Sequence, residues 1–332
     1  MKHLRLLLAG ALSFSLLAAC TAGSKPSQTS SKTVSVATDK KDNEKLQVYS
    51  SFYVMTDFVQ KIGGDKVDVK TLVPAGVEPH DWEPEATDMA ALEKANVLVY
   101  NGAGMEHWVE KVSKTLGNKK LVPVEASKGI ELLTGEHHHH DEAEDHEHDK
   151  SHDKDEKHEH DHGDTDPHVW LNVKNAKKEL ENIKDGLVKA DAANKTYYEQ
   201  NYQKWAKLFD DLDQKFTKEL AAYKGKSIVT AHEAFGYLCH AYGLKQIGIE
   251  GLSPNSEPDP QRMKEVISFV KENKVSTIFF EELVSPKVAE SIAKETGAKT
   301  AMLNPLESAP EKGDYLVAME INLTSLLEAL AK

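Results

Sequence analysis

Residues 46–62 read Leu-Gln-Val-Tyr-Ser-Ser-Phe-Tyr-Val-Met-Thr-Asp-Phe-Val-Gln-Lys-Ile. Leu46 to Ser50 carries the signal of a strand and Val54 to Ile62 that of an apolar-faced helix. The same alternation continues outward: Val67 to Val73 as a strand, Glu85 to Lys94 as a helix, Asn96 to Tyr100 as a strand, Met105 to Leu116 as a helix, Lys120 to Val124 as a strand. Strands alternating with helices predict a parallel sheet covered by helices.

A second set follows at Lys226. Strands are expected at Ser227 to Ala231, Gln246 to Ile249, Ser276 to Phe280 and Lys299 to Leu303, and helices at Ala234 to Tyr242, Gln261 to Asn273, Pro286 to Thr296 and Asp314 to Leu330. Between the sets, residues 172–225 carry no strand signal. Tyr198, Tyr202, Trp205, Phe209, Leu212, Phe216 and Leu220 recur at spacings of four and three, which predicts one long amphipathic helix after a shorter one ending near Asp191. The expected fold is therefore two similar α/β lobes (46–171 and 226–332), each a mostly parallel sheet flanked by helices, joined by a long rigid helix. A length of 332 residues, with 39% of them hydrophobic, suits two such lobes of roughly 150 residues.

The amino terminus reads as an address. Lys2 and Arg5 precede an apolar run from Leu6 to Ala19, too short for the roughly 20 residues a spanning helix needs, so residues 1–19 read as a signal peptide. Leu17-Ala18-Ala19-Cys20 resembles a bacterial lipobox, in which the cysteine is acylated and becomes the first mature residue. Residues 20–45 then form a lipid-anchored tether with an end-to-end distance of roughly 25–30 Å. With Cys20 acylated, Cys239 is the remaining thiol, so neither an intrachain disulfide nor a thiolate metal cage is available. Within the apolar stretch Phe235 to Tyr242, Cys239 reads as a small buried hydrophobe.

Net charge is −13, and residues 136–166 account for most of it, with 14 acids against 3 lysines. The rest is nearly neutral and has no basic face for nucleic acid. That segment also holds 10 of the 16 histidines and has no hydrophobic periodicity, so it is expected to be a disordered insert offering weak divalent-metal sites. Of the histidines outside it, His3 falls in the signal peptide, and His107 and His240 lie in helical patterns and read as structural.

Three others sit where strands are expected to end. His80 follows Pro74-Ala75-Gly76-Val77-Glu78-Pro79, His168 follows Asp166-Pro167, and His232 terminates Ile228-Val229-Thr230-Ala231. Ligands gather at the carboxyl ends of strands in open α/β sheets, so these three can converge in a crevice between the lobes.

These stretches, with Asp81-Trp82-Glu83-Pro84, Val169-Trp170 and Glu233-Ala234-Phe235-Gly236-Tyr237 completing the motifs, closely resemble the metal-specific solute-binding lipoproteins of bacterial ABC importers, in particular their zinc branch. The resemblance covers about residues 46–332. It implies a metal held in the interlobe cleft by His80, His168 and His232. The family's fourth ligand is a carboxylate from the last inter-element loop, which Asn304-Pro305-Leu306-Glu307 offers as Glu307; Glu281, Glu282 and water are the other candidates for that place. The manganese branch has a carboxylate where His232 stands, and three imidazoles suit zinc on ligand softness.

The function expected is extracytoplasmic capture of Zn²⁺ at one tight site by a monomer anchored to the lipid bilayer, with delivery to an ABC importer permease. The chain has no GxxxxGK[ST] loop, so a separate ATPase must supply energy. A zinc hydrolase would need its fourth position open for water, and a surface zinc store or adhesin would act through the insert.

Overall fold

The computed structural model describes residues 45–134, 165–254 and 258–331. The expected signal peptide, Cys20, its tether up to residue 44, and residues 135–164 of the histidine-rich insert lie outside the described residues.

Strands β1 (Leu46–Ser50), β2 (Val67–Thr71), β3 (Val97–Tyr100) and β4 (Val122–Glu125) form one four-stranded sheet in the order β2-β1-β3-β4. All pairings are parallel, with Val48 opposite both Val69 and Val97. Helices α1 (Tyr53–Gly63), α2 (Ala86–Leu92) and α3 (Val109–Thr115) make the crossovers. Val97, Leu98 and Val99 are all buried, as expected of a central parallel strand covered on both faces.

The second sheet repeats this plan. Strands β5 (Ser227–Thr230), β6 (Lys245–Gly248), β7 (Thr277–Phe280) and β8 (Lys299–Met302) lie in the order β6-β5-β7-β8, again all parallel, with α6 (Gly236–Tyr242), α7 (Pro260–Asn273) and α8 (Lys287–Thr296) between them. In both sheets the order reverses beside the first strand. That reversal opens a crevice at the carboxyl ends of β1 and β3, and of β5 and β7.

Helices α4 (Val173–Ala190) and α5 (Lys195–Leu220) run between the lobes. Asn172 caps α4 by accepting the Lys174 N–H at 3.0 Å. Gly186 lets α4 lie on the first sheet, since a Cβ there would meet Val124 at 2.3 Å. Helix α5 spans 26 residues, about 39 Å. It buries Tyr198, Phe209, Leu212, Phe216 and Leu220, so the aromatic stripe is core packing. Phe209 stacks on Tyr315 of α9 (Tyr315–Leu330) with centroids 5.1 Å apart, and meets Phe58 of α1 edge-on at 5.7 Å. One aromatic trio thus fastens both lobes to the spine, each pair adding about 0.5–1.5 kcal/mol beyond its area burial. Beside it, the buried Lys61 of α1 pairs with Asp57 at 2.9 Å and with Asp314, the α9 N-cap, at 2.6 Å.

Helix α3 starts at Val109 and not at Met105. Gly102, Ala103 and Gly104, just before the expected start, all take positive φ (82°, 52° and 90°), and residues 105–108 follow as a bend and a turn. Cys239 is buried as expected, and His107 and His240 are both exposed. Among the described residues, no helix is long and apolar enough to cross a membrane.

Candidate metal centre

Four loops at the carboxyl ends of the two sheets bring His80, His168, His232 and Glu307 together. One ligand atom from each lies within 4.8 Å of every other. His80 comes from the loop after β2, and its N–H donates to Glu78 Oε1 at 3.1 Å. His232 stands two residues beyond β5, where its carbonyl accepts from Thr230 Oγ1 at 2.7 Å.

His168 corrects an expectation: it ends no strand, but precedes a 3-10 turn, Val169–Leu171, that leads into α4. The turn is held from the first sheet by Asn101 Nδ2, which donates to the Pro167 carbonyl at 2.9 Å. A second correction concerns the boundary of the insert. Composition extends the disordered insert through Thr165 and Asp166, yet Thr165 bridges Thr134 and Asp166 is buried against His168.

Glu307 lies in the loop after β8, which is pinned on both sides. Trp170 Nε1 donates to the Pro305 carbonyl at 2.7 Å, Asn304 and Asn322 exchange bonds of 2.9 and 2.7 Å, and Leu306 is held at φ 66°. A leucine in the left-handed region costs roughly 1–2 kcal/mol, offset here by complete burial.

Glu307 Oε1 is 3.1 Å from His168 Nε2, 3.3 Å from His80 Nε2 and 3.7 Å from His232 Nε2. His168 Nε2 is 3.2 Å from His80 Nε2 and 3.3 Å from His232 Nε2. A tetrahedron of ligands about 2.0–2.1 Å from zinc has edges of about 3.3–3.4 Å, so these spacings fit one ion.

Proton placement gives the same answer. His168 Nδ1 donates to Asp166 Oδ1 at 2.8 Å, and His232 Nδ1 lies against Glu281 Oε2. With their protons on Nδ1, both rings turn Nε2 lone pairs inward, toward a carboxylate oxygen. Nitrogens that converge on a carboxylate in this way are held together by protons or by a cation that replaces them.

The electrostatics agree. Burial works against a charged ring at His168 and His232, but hydrogen bonds and charge from Asp166, Glu281 and Glu307 outweigh it and raise both pKa values. Burial dominates at His80 and lowers its pKa. Burial would raise Glu307, yet hydrogen bonds from the three imidazoles hold it well below the usual carboxylate range. Glu78, at the edge of the site, is pushed up to about 7 by burial and by the Glu307 charge.

The structure turns Glu281 away from the converging atoms and onto the far nitrogen of His232, and joins Glu282 to Asn304 Nδ2 at 3.0 Å. Asp166 as a ring partner escaped the sequence reading because it was counted in the acidic run. Its spacing, two residues before a histidine, was the available signal. Among the described residues, no other group of three or more His, Cys, Asp or Glu side chains could hold a metal.

Residues 48–329 match the family described as zinc-uptake complex component A, periplasmic. The chain is 41% identical over 322 residues to the high-affinity zinc uptake system protein ZnuA of Bacillus subtilis, covering 96% of this chain and 94% of that one. It is 37% identical over 301 residues to the zinc-binding lipoprotein AdcA of Streptococcus pneumoniae, covering 88% of this chain but 57% of AdcA. The crystal structure of the Zn(II)-bound ZnuA-like domain of that AdcA superposes with a TM-score of 0.71 at 36% identity, over 87% of this chain and all of that domain. With the match running from β1 into α9, the chain belongs to the family of zinc-uptake complex A components.

Proposed function

We propose that this protein captures Zn²⁺ outside the cytoplasm in the interlobe centre and delivers it to an ABC importer permease driven by a separate ATPase. The observation that carries the reading is the set of ligand-atom spacings: five of the six among three imidazoles and Glu307 are 3.1–3.7 Å and all are within 4.8 Å, which fits one tetrahedral zinc. Glu307 fills the vertex that a hydrolase would keep for water, which favours carriage over catalysis. The zinc-uptake names of its relatives support the same reading.

His80, His168, His232 and Glu307 are the ligands in this account, with Glu281 an orienting group and not the fourth ligand. The body is held at the membrane by acylated Cys20 and the tether to residue 45, and the insert collects zinc at weak sites. Removal of the thiol in Cys20→Ala should release the protein from the membrane fraction. Normal retention would contradict the anchor.

Growth under zinc limitation tests transport itself. Cells relying on His168→Ala should need added zinc to match wild type, although all ten insert histidines remain. Unimpaired growth would favour a store or adhesin acting through the insert.

A further inference from the structure

We propose that Tyr237, on α6 of the second lobe, is a positioning residue for the zinc ligand His168, acting through Asp166; this rests on the reading of His168 as a ligand. Its hydroxyl donates to the Asp166 carbonyl at 3.0 Å and accepts the Leu133 N–H at 2.9 Å. Leu133 and Asp166 are themselves joined, the Asp166 N–H donating to the Leu133 carbonyl at 2.8 Å. A single phenol therefore closes a ring of three hydrogen bonds around the two chain ends that flank residues 135–164. Burial raises the phenol well above its usual range, so the hydroxyl keeps the proton it donates.

Asp166 is where this clamp meets the metal centre. Its Oδ1 accepts both the backbone N–H of His168 at 2.9 Å and His168 Nδ1 at 2.8 Å. Fixing the Asp166 main chain thus fixes the carboxylate that sets the ring's tautomer and direction. The neighbour of Tyr237 bears on the same carboxylate from the other side. Gly236 lies so close that a Cβ there would meet Asp166 Oδ2 at 2.5 Å. Since α6 belongs to the second lobe and Asp166 to the first, one lobe sets the aim of a ligand carried by the other.

The test is zinc dissociation from the full-length protein into a chelator, reading the slow phase that survives release from weak sites. Cobalt(II) at one equivalent gives a d–d spectrum as a second readout of tetrahedral geometry. Tyr237→Phe keeps the ring's packing and removes only the hydroxyl. It should release zinc about tenfold faster and alter the cobalt spectrum. Tyr242→Phe, on the same helix, loses a comparable bond to Asp213 Oδ1 (3.2 Å) and should behave as wild type. Gly236→Ala displaces Asp166 without touching the phenol and should reproduce the Tyr237→Phe result, which keeps the test open if the phenylalanine variant folds poorly.

His168→Ala is the reference. If it loses the slow phase while Tyr237→Phe and Gly236→Ala release zinc like wild type, the positioning role is wrong and the ligand assignment stands. An equal acceleration in Tyr242→Phe would also overturn the positioning role, as a general loosening of α6. If His168→Ala keeps the slow phase, the ligand reading fails, and the proposal with it.

Discussion

Glu281 stands behind His232, with one carboxylate oxygen against Nδ1 and the other accepting the His232 backbone N–H at 3.1 Å. A residue that follows a strand of the second sheet thus acts on the far side of the His232 ring, and by holding the Nδ1 proton it turns Nε2 toward Glu307. Glu281→Gln should keep the fold and the four-coordinate site but weaken zinc binding about 10–100-fold, because an amide neither balances the ring's charge nor fixes its tautomer as firmly. Chelator competition measures this. An unchanged affinity would show that the contact is packing alone.

Acid should weaken zinc binding from an unusually high pH. Asp166, Glu281 and Glu307 raise the pKa of His168 and His232, so in the metal-free protein both rings take up protons above the ordinary imidazole value of about 6.5. Zinc must displace those protons, and the apparent affinity falls by about tenfold per pH unit for each one displaced. His80, lowered by burial, joins only at lower pH. Competition titrations between pH 8 and 5.5 should show the loss beginning above 6.5 in wild type and at lower pH in Glu281→Gln. The same onset in both would contradict this assignment of the protons.

Replacing His232 by glutamate should narrow the preference for zinc over manganese without reversing it. The change swaps an imidazole for a hard carboxylate, while the intrinsic affinity order still favours zinc. Competition between the two metals for the slow-releasing site would reveal this. An unaltered ratio would place His232 outside the ligand set.

Glu179 predicts a pH effect on stability remote from the ligands. It lies on the buried face of α4, fully inaccessible, and neither carboxylate oxygen has a hydrogen-bond partner among the described residues. Burial, with the charge of Glu106, raises its pKa well above the usual value. The folded protein then holds a proton that the unfolded chain releases near pH 4.5. Its contribution is fully present below that pH and is lost as pH rises toward the folded pKa. Glu179→Gln should therefore be the more stable protein at pH 8, by about 1–3 kcal/mol, with the difference shrinking toward pH 5. Thermal melts of the metal-free proteins at the two pH values check this, and a difference that does not depend on pH would contradict it.

Much of this was legible in the chain. Val48 and Val97 announce buried parallel strands, and the Tyr198-to-Leu220 stripe announces the spine. The three histidines could be read from their place at the rim of the sheets, even though His168 turned out to precede a helical turn. What escaped reading depends on direction. Glu281 follows β7, but whether it points at the metal or at the back of His232 is set by how β7 registers against β5, where Thr230 lies opposite Phe279. Asp166 was hidden by the composition around it, being a buried acid at the end of an acidic run. Glu179 was visible as an acid between Ala176 and Ile183 on an apolar stripe, although its lack of a partner is a fact of packing alone.

The central claim is that His80, His168, His232 and Glu307 enclose a single zinc. A crystal structure of the zinc-loaded protein, with anomalous data collected on both sides of the zinc edge, tests it most directly. The expected result is one interlobe peak about 2.0–2.1 Å from the three Nε2 atoms and about 2.0–2.2 Å from Glu307 Oε1, with no water bound. A peak bonded to Glu281, or one with water in place of Glu307, would contradict the account.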